Sequence, residues 1–254
     1  MTAQNALIHI KDLEKTFNVG KGKVQVLKGI NLEIFPGEFV IIFGPSGCGK
    51  STLLNSIVGL EKPTTGEVII KHQNLYEMDS DQRARFRSDN FGIIYQSSNW
   101  VKSLNVIENV AFPLSIKGVS ERVGKKKGRD LLQLFRLEEF ARNIPTELSG
   151  GQQQRVSVTR ALITNPAVLI ADEPTGNLDT VSAADLMYVL QFLNTESKRT
   201  VIMVTHNPDY EKYATKVVRM EDGKIKKVDV KKEIHIDVSE KLPDILPPDE
   251  GATL

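Results

Sequence analysis

Residues 24–34 alternate apolar and polar positions (Val24, Val26, Ile30, Leu32, Ile34), and residues 7–10 repeat the pattern over a shorter run. With Lys-Gly turns between them, these stretches predict an N-terminal layer of antiparallel strands. Residues 39–43 are apolar at every position, which is the pattern of a strand covered on both faces. A glycine-rich turn at 44–49 and a helix from Lys50 to about Gly59 follow it. Similar buried runs occur at 168–171, before two acids, and at 201–204, before Thr-His-Asn-Pro. Strands alternating with helices predict a parallel sheet with helices on its faces. Between these strands, helical patterning at 79–88, 106–116, 123–135 and 152–163 predicts a largely helical insertion over about 76–165. Glu-Asp-Gly-Lys at 221–224 reads as the turn of a hairpin formed by 217–220 and 225–230. The expected organisation is one α/β domain over residues 1–230, with its core in about 1–75 and 166–230, followed by an extension over 231–254.

Composition narrows the partners. Thirty-three Lys and Arg against 32 Asp and Glu leave a net charge of +1, so no global field collects nucleic acid or coats an anionic membrane. The apolar runs fall far short of the ~20 residues that span a bilayer, so direct membrane insertion is not expected. Residues 1–15 include Lys11, Asp12, Glu14 and Lys15 without a long apolar stretch, unlike a signal peptide. Cys48 is the one cysteine, which suits a reducing compartment and excludes a cysteine-based zinc site. Residues 243–254 hold three prolines and three acids with no basic residue, the composition of a mobile tail.

The chemistry concentrates first at Gly44-Pro45-Ser46-Gly47-Cys48-Gly49-Lys50-Ser51, which fits G-x-x-x-x-G-K-[ST] between a buried strand and a helix. Glycines let successive backbone N–H groups turn inward on phosphate oxygens, and the helix beginning at Lys50 adds its positive dipole end. Lys50 suits the β- and γ-phosphates. The Ser51 hydroxyl suits Mg²⁺, which takes few protein oxygens and completes its shell with phosphates and water. A second run, Leu148-Ser149-Gly150-Gly151-Gln152, opens the helical stretch 152–163 and forms a second anion-attracting helix start.

Together the two runs resemble the ATP-binding cassette (ABC) family, whose signature is LSGGQ. The resemblance extends over about residues 7–228. It implies a P-loop NTPase fold with a RecA-like parallel core, an N-terminal antiparallel β-layer and a helical insertion subdomain. It further implies ATP and Mg²⁺ as ligands and ATP hydrolysis as the activity. The run 168–173 looks like the Walker B strand, so Asp172 would hold Mg²⁺ through water and Glu173 would act on the attacking water as base. His206 matches the switch histidine that meets the γ-phosphate, and Gln96 the Q-loop glutamine near Mg²⁺ and water. Asp179 in Asn177-Leu178-Asp179 matches the D-loop. Phe17 stands where the family usually places a tyrosine that stacks on adenine, keeping the ring without the hydroxyl. Val26 and Thr52 complete the expected nucleotide contacts. In the family, Ser149, Gly150, Gly151 and Gln152 complete the site of a second copy, so two chains would sandwich two ATP molecules.

The run Glu173-Pro174-Thr175-Gly176-Asn177-Leu178-Asp179 is similar to the LolD/MacB/FtsE branch of lipoprotein-releasing, macrolide-exporting and cell-division ATPases. The branch implies integral membrane permease subunits as partners and a place at the cytoplasmic face of the cell membrane, with no nucleic-acid partner. Trp100 and Val101, within 97–104, are the apolar candidates for meeting a membrane subunit, whereas Lys125, Lys126 and Lys127 read as a solvated helix face. Two functions stay open: powering export, lipoprotein release or mechanotransmission, and regulating a cell-wall or division process without transport.

Overall fold

The computed structural model describes residues 5–20, 22–97 and 99–231. The expected mobile tail at 243–254, and all of the extension beyond Lys231, lie outside the described residues. The described chain forms two compact units, residues 5–89 with 198–231 and residues 90–197.

The first unit carries two sheets. Strands β1 (Ile8–Val19), β2 (Gly22–Ile34), β4 (Thr65–Ile70) and β5 (Gln73–Asn74) form an antiparallel sheet in the order β2-β1-β4-β5. Strand β1 runs far beyond the short alternation at 7–10. Its register with β2 shifts between Ile10 and Leu13, again before Lys15 and again before Thr16, which breaks the period of two that sequence patterning needs. Val24 points out, 49% exposed, because it sits near the free end of this hairpin.

Strand β3 (Phe39–Phe43) has parallel neighbours on both sides, β8 (Thr200–Thr205) and β9 (Lys216–Glu221), and β10 (Lys224–Val230) pairs antiparallel outside β9. Phe39, Val40, Ile41 and Ile42 are fully buried, each contributing roughly 1.5–3 kcal/mol of apolar burial. Helix α1 (Lys50–Ile57) leaves β3 through the glycine turn, and α2 (Ser80–Asn90) starts on an Asp79 cap that accepts from the N–H groups of Asp81 and Gln82 at 2.9 and 2.8 Å.

In the second unit, β6 (Phe91–Tyr95) and β7 (Val168–Asp172) pair in parallel. Helices α3 (Val106–Ile116), α4 (Glu121–Leu134), α5 (Gly150–Leu162) and α6 (Thr180–Thr195) complete it. Three of them lie where the patterning places helices. Helix α6 does not, because it buries residues over more than half its circumference (Ala183, Leu186, Met187, Val189, Leu190 and Leu193 among them) and shows no clean stripe. The α/β architecture with a separate antiparallel layer is the expected one.

Candidate functional site

Within the first unit, the phosphate loop hangs from β3. Phe43 pairs in register with Thr205 of the parallel neighbour β8. Gly44 and His206, one residue beyond each, therefore leave side by side from the carboxyl ends of adjacent strands, where open α/β sheets bind ligands. The turn carrying His206 is fixed locally: the Asn207 N–H donates to Thr205 Oγ1 at 3.1 Å, and the Asn207 carboxamide accepts from the Asp209 N–H at 3.0 Å. His206 itself is exposed.

Gly47 and Gly49 adopt φ of 80° and 104°, the left-handed region that turns backbone N–H groups into a concave nest. Gly49 is the N-cap of α1 and offers no side-chain cap, and the first turn of α1 holds no acid, so nothing acidic in that turn offsets the positive end of the helix dipole. Lys50 is only 5% exposed, and its ammonium donates to the carbonyls of Gly44 at 2.8 Å and Pro45 at 2.9 Å. Two neutral carbonyls leave the charge of a buried cation uncompensated. Nest, helix start and desolvated ammonium all favour a polyphosphate. Pro45, Ser46 and Ser51 are exposed along the loop, and Thr52 is half-buried.

The loop rests on residues that sequence reasoning did not single out. A Cβ on Gly44 would lie 2.3 Å from the Met220 carbonyl oxygen and 2.8 Å from Cys48 Sγ. The Gly223 N–H donates to the Cys48 carbonyl at 3.1 Å, while the Lys28 N–H donates to the Gly223 carbonyl at 2.9 Å. The β9–β10 turn thus ties the loop to β2. Val26 meets it from the same strand, with its carbonyl 3.0 Å from where a Gly49 Cβ would stand. Phe17 pairs with Val24 and is half-buried, with the Lys15 ammonium 4.7 Å from its ring centroid. The signal for Gly223 was the hairpin turn, which by itself carries no function.

The second unit holds Gln96, the signature, Asp172, Glu173 and Asp179. Tyr95 pairs in register with Asp172, so Gln96 and Glu173 emerge together from the ends of β6 and β7. Glu173 has φ 44°, a left-handed conformation costing of order 1–3 kcal/mol for a residue with a Cβ. The turn that imposes it is closed by the Gly176 N–H donating to the Glu173 carbonyl at 3.0 Å. Such strain clusters at functional sites. A Cβ on Gly176 would stand 2.8 Å from Gln96 Nε2, and Asn177 Nδ2 donates to the Gln96 carbonyl at 3.4 Å, so the turn after Glu173 touches Gln96 directly.

Ser149 caps α5 through a reciprocal box: its hydroxyl accepts from the Gln152 N–H at 3.3 Å, and the Gln152 side chain accepts from the Ser149 N–H at 2.9 Å. The Ser149 proton stays available to an acceptor, and the first turn of α5, like that of α1, holds no acid. A Cβ on Gly151 would sit 2.5 Å from Ser182 Oγ, so a side chain there would displace Ser182. Asp179 caps α6, accepting from the N–H groups of Val181 and Ser182 and from the Ser182 hydroxyl at 2.8–3.0 Å. Hydrogen bonds from Ser182, backbone first, hold its carboxyl below the ordinary value of 3.8. Ser182 thereby joins the signature to Asp179.

The possible Mg²⁺ donors are a hydroxyl, an amide and a carboxylate. That set suits a hard cation completed by phosphates and water, and among the described residues no cluster of three His, Cys, Asp or Glu forms an all-protein metal cage. No helix among the described residues is long and apolar enough to cross a membrane.

Fold and loop define a P-loop nucleotide-binding α/β protein. Residues 27–176 match the ABC transporter family. An uncharacterized ABC transporter ATP-binding protein, MJ1508 of Methanocaldococcus jannaschii, is 44% identical over 219 residues, covering 86% of this chain and 97% of that protein. The macrolide export ATP-binding/permease protein MacB of Syntrophobacter fumaroxidans is 43% identical over 221 residues, but the chain spans only 31% of its length. Among solved structures, the dimeric post-hydrolysis ATP-binding cassette MJ0796 bound to ADP and Pi superposes with a TM-score of 0.83 at 38% identity, over 89% of this chain and 99% of that one. The chain belongs to the ABC transporter family, in its LolD/MacB/FtsE branch, and carries that family's ATPase domain.

Proposed function

We propose that the chain is the ATP-hydrolysing subunit of a membrane complex, acting as a head-to-tail pair of copies that closes on two ATP molecules. The observation that carries this reading is the strand register that delivers Gln96 and a strained Glu173 together. In it, the phosphate-loop N–H groups and Lys50 hold the β- and γ-phosphates, Phe17 and Val26 flank the base, and His206 meets the γ-phosphate. Gln96 orients the attacking water and Glu173 accepts its proton as the bond to the γ-phosphorus forms and the β–γ bridge breaks toward ADP. Ser51, Gln96 and Asp172, the last through water, would hold Mg²⁺, which when bound supplies charge neutralisation of the phosphates. The signature, Ser149 to Gln152 in the helical segment expected over 76–165, donates to the γ-phosphate of the other copy, and Asp179 lies beside that contact. ATP then holds the copies together, and hydrolysis removes the link, a population shift with a mechanical output.

The partner is an integral membrane permease and the site of action the cytoplasmic face of the membrane. Support comes from the branch resemblance and from MacB, whose name joins an ATP-binding part to a permease. Glu173→Gln purified with ATP from its native membranes tests this. A co-purifying integral membrane protein supports the reading; a dimer alone, or one with ribosomes or DNA, counts against it.

A further inference from the structure

The segment after Gln96 is fastened to the signature helix by side chains outside any recognised motif. Trp100 Nε1 donates to Gln153 Oε1 at 3.0 Å, and Gln153 Nε2 donates to the Leu148 carbonyl at 3.0 Å. The Gln153 backbone N–H also donates to the Ser149 carbonyl at 2.8 Å. One carboxamide thus accepts from the segment and donates to the residue preceding the signature serine, a double role that only a side chain with both groups can fill. The Arg160 guanidinium lies over the indole, 4.6 Å from the ring centroid, and donates to the Asn99 carbonyl at 3.3 Å. Next along the chain, the fully buried Asn109 accepts from the Val101 N–H at 2.9 Å and donates to the carbonyls of Val101, Leu104 and Asn105 at 2.8–3.2 Å. Residues 99–104 are therefore held by α5 at one end and α3 at the other.

We propose that Trp100 and Gln153 are positioning residues that lock residues 99–104 to the signature turn, so that the aim of Ser149 at a second copy's nucleotide depends on the Trp100–Gln153–Leu148 chain. This rests on the reading of the signature as acting in trans. Force delivered to residues 99–104 by a partner reaches Ser149 through two hydrogen bonds, without passing through the phosphate loop. Trp100, with one face and its N–H engaged inside the unit, serves first as this link.

The test uses the full chain in the Glu173→Gln background, with Trp100→Phe, which keeps the ring and loses the donor, and Gln153→Glu, which keeps the acceptor and loses the donor to Leu148. Each copy loses one hydrogen bond of about 1 kcal/mol and the head-to-tail pair carries two such links, so ATP-driven self-association measured by sedimentation should weaken by about five- to thirtyfold. The double variant should be no weaker than the worse single, because both break one chain. ATP affinity of the single copy should stay within twofold. Trp100 is the only tryptophan, so its emission reports the link directly: Gln153→Glu should shift emission and raise acrylamide quenching. Unchanged self-association, additive losses or a parallel fall in ATP affinity would overturn the proposal. If the Glu173→Gln parent stays monomeric with ATP, the in-trans reading fails. Hydrogen exchange at residues 149–152 then decides the link: faster exchange in Trp100→Phe upholds it, and unchanged exchange refutes it.

Discussion

Lys50→Met separates what the buried ammonium does for the fold from what it does for the ligand. In the folded chain the ammonium is 5% exposed and rests on two neutral carbonyls. Replacing it with an isosteric apolar chain relieves an uncompensated desolvation, yet leaves the Gly44 and Pro45 carbonyls without this donor, at about 1–2 kcal/mol for the buried one. The two terms oppose each other, so the ligand-free melting temperature should move by no more than about 2–4 °C, the equivalent of about 1 kcal/mol at this size. A polyphosphate in the nest would lose one or two charge-assisted hydrogen bonds of roughly 1.5–3 kcal/mol each. That is about 1.5–6 kcal/mol, or roughly 10- to 10⁴-fold in Kd. Calorimetric titration with a non-hydrolysable ATP analogue, beside thermal melting of both proteins, reads the two quantities separately. A Kd within threefold of the parent refutes the phosphate assignment. A melting temperature lower by 10 °C would show that the ammonium is mainly structural.

Gly44→Ala forces a methyl against the Met220 carbonyl and Cys48, so stability should fall by about 1–3 kcal/mol in a denaturant titration, with weaker ATP binding. Asn109→Leu removes four hydrogen bonds that shape residues 101–105 and should lower the melting temperature by roughly 5–15 °C, for about 2–4 kcal/mol, while ATP affinity at the phosphate loop holds. Asp179 has a depressed carboxyl pKa in the folded chain, so its contribution is fully present above the ordinary value of 3.8 and is lost as pH falls through the folded value. The stability gap between parent and Asp179→Asn, followed by denaturant unfolding from pH 6 downward, should therefore close in acid; a gap that widens there would contradict the cap.

Three of the parallel strands were legible from the uninterrupted apolar runs at 39–43, 168–171 and 201–204, and the helices at 106–116 and 152–163 because their caps and stripes agree. Strand β9 was legible only as one arm of a hairpin, and β6 was not legible, lying inside the segment expected to be a helical insertion. The hairpin β4–β5 was not. Its turn places Lys71 and His72 at φ of 48° and 65°, positions where glycine or asparagine would have announced the turn. The central part of β1 was hidden by register shifts, and α6 by burial on most of its surface. The phosphate-loop run and the LSGGQ run were legible as local strings with fixed neighbours. Their supports were not, because Gly223 under the phosphate loop and Gln153 beside the signature act through distant partners, which spacing along a chain does not encode. The strain at Glu173 likewise appears only as a backbone angle.

The most direct measurement compares steady-state phosphate release from ATP by the parent and by Glu173→Gln, with ATP affinity and sedimentation of both on the same samples. The account predicts unchanged binding, turnover lower by roughly 10²–10⁴-fold and an ATP-dependent dimer of the variant. Parental turnover in Glu173→Gln would contradict it.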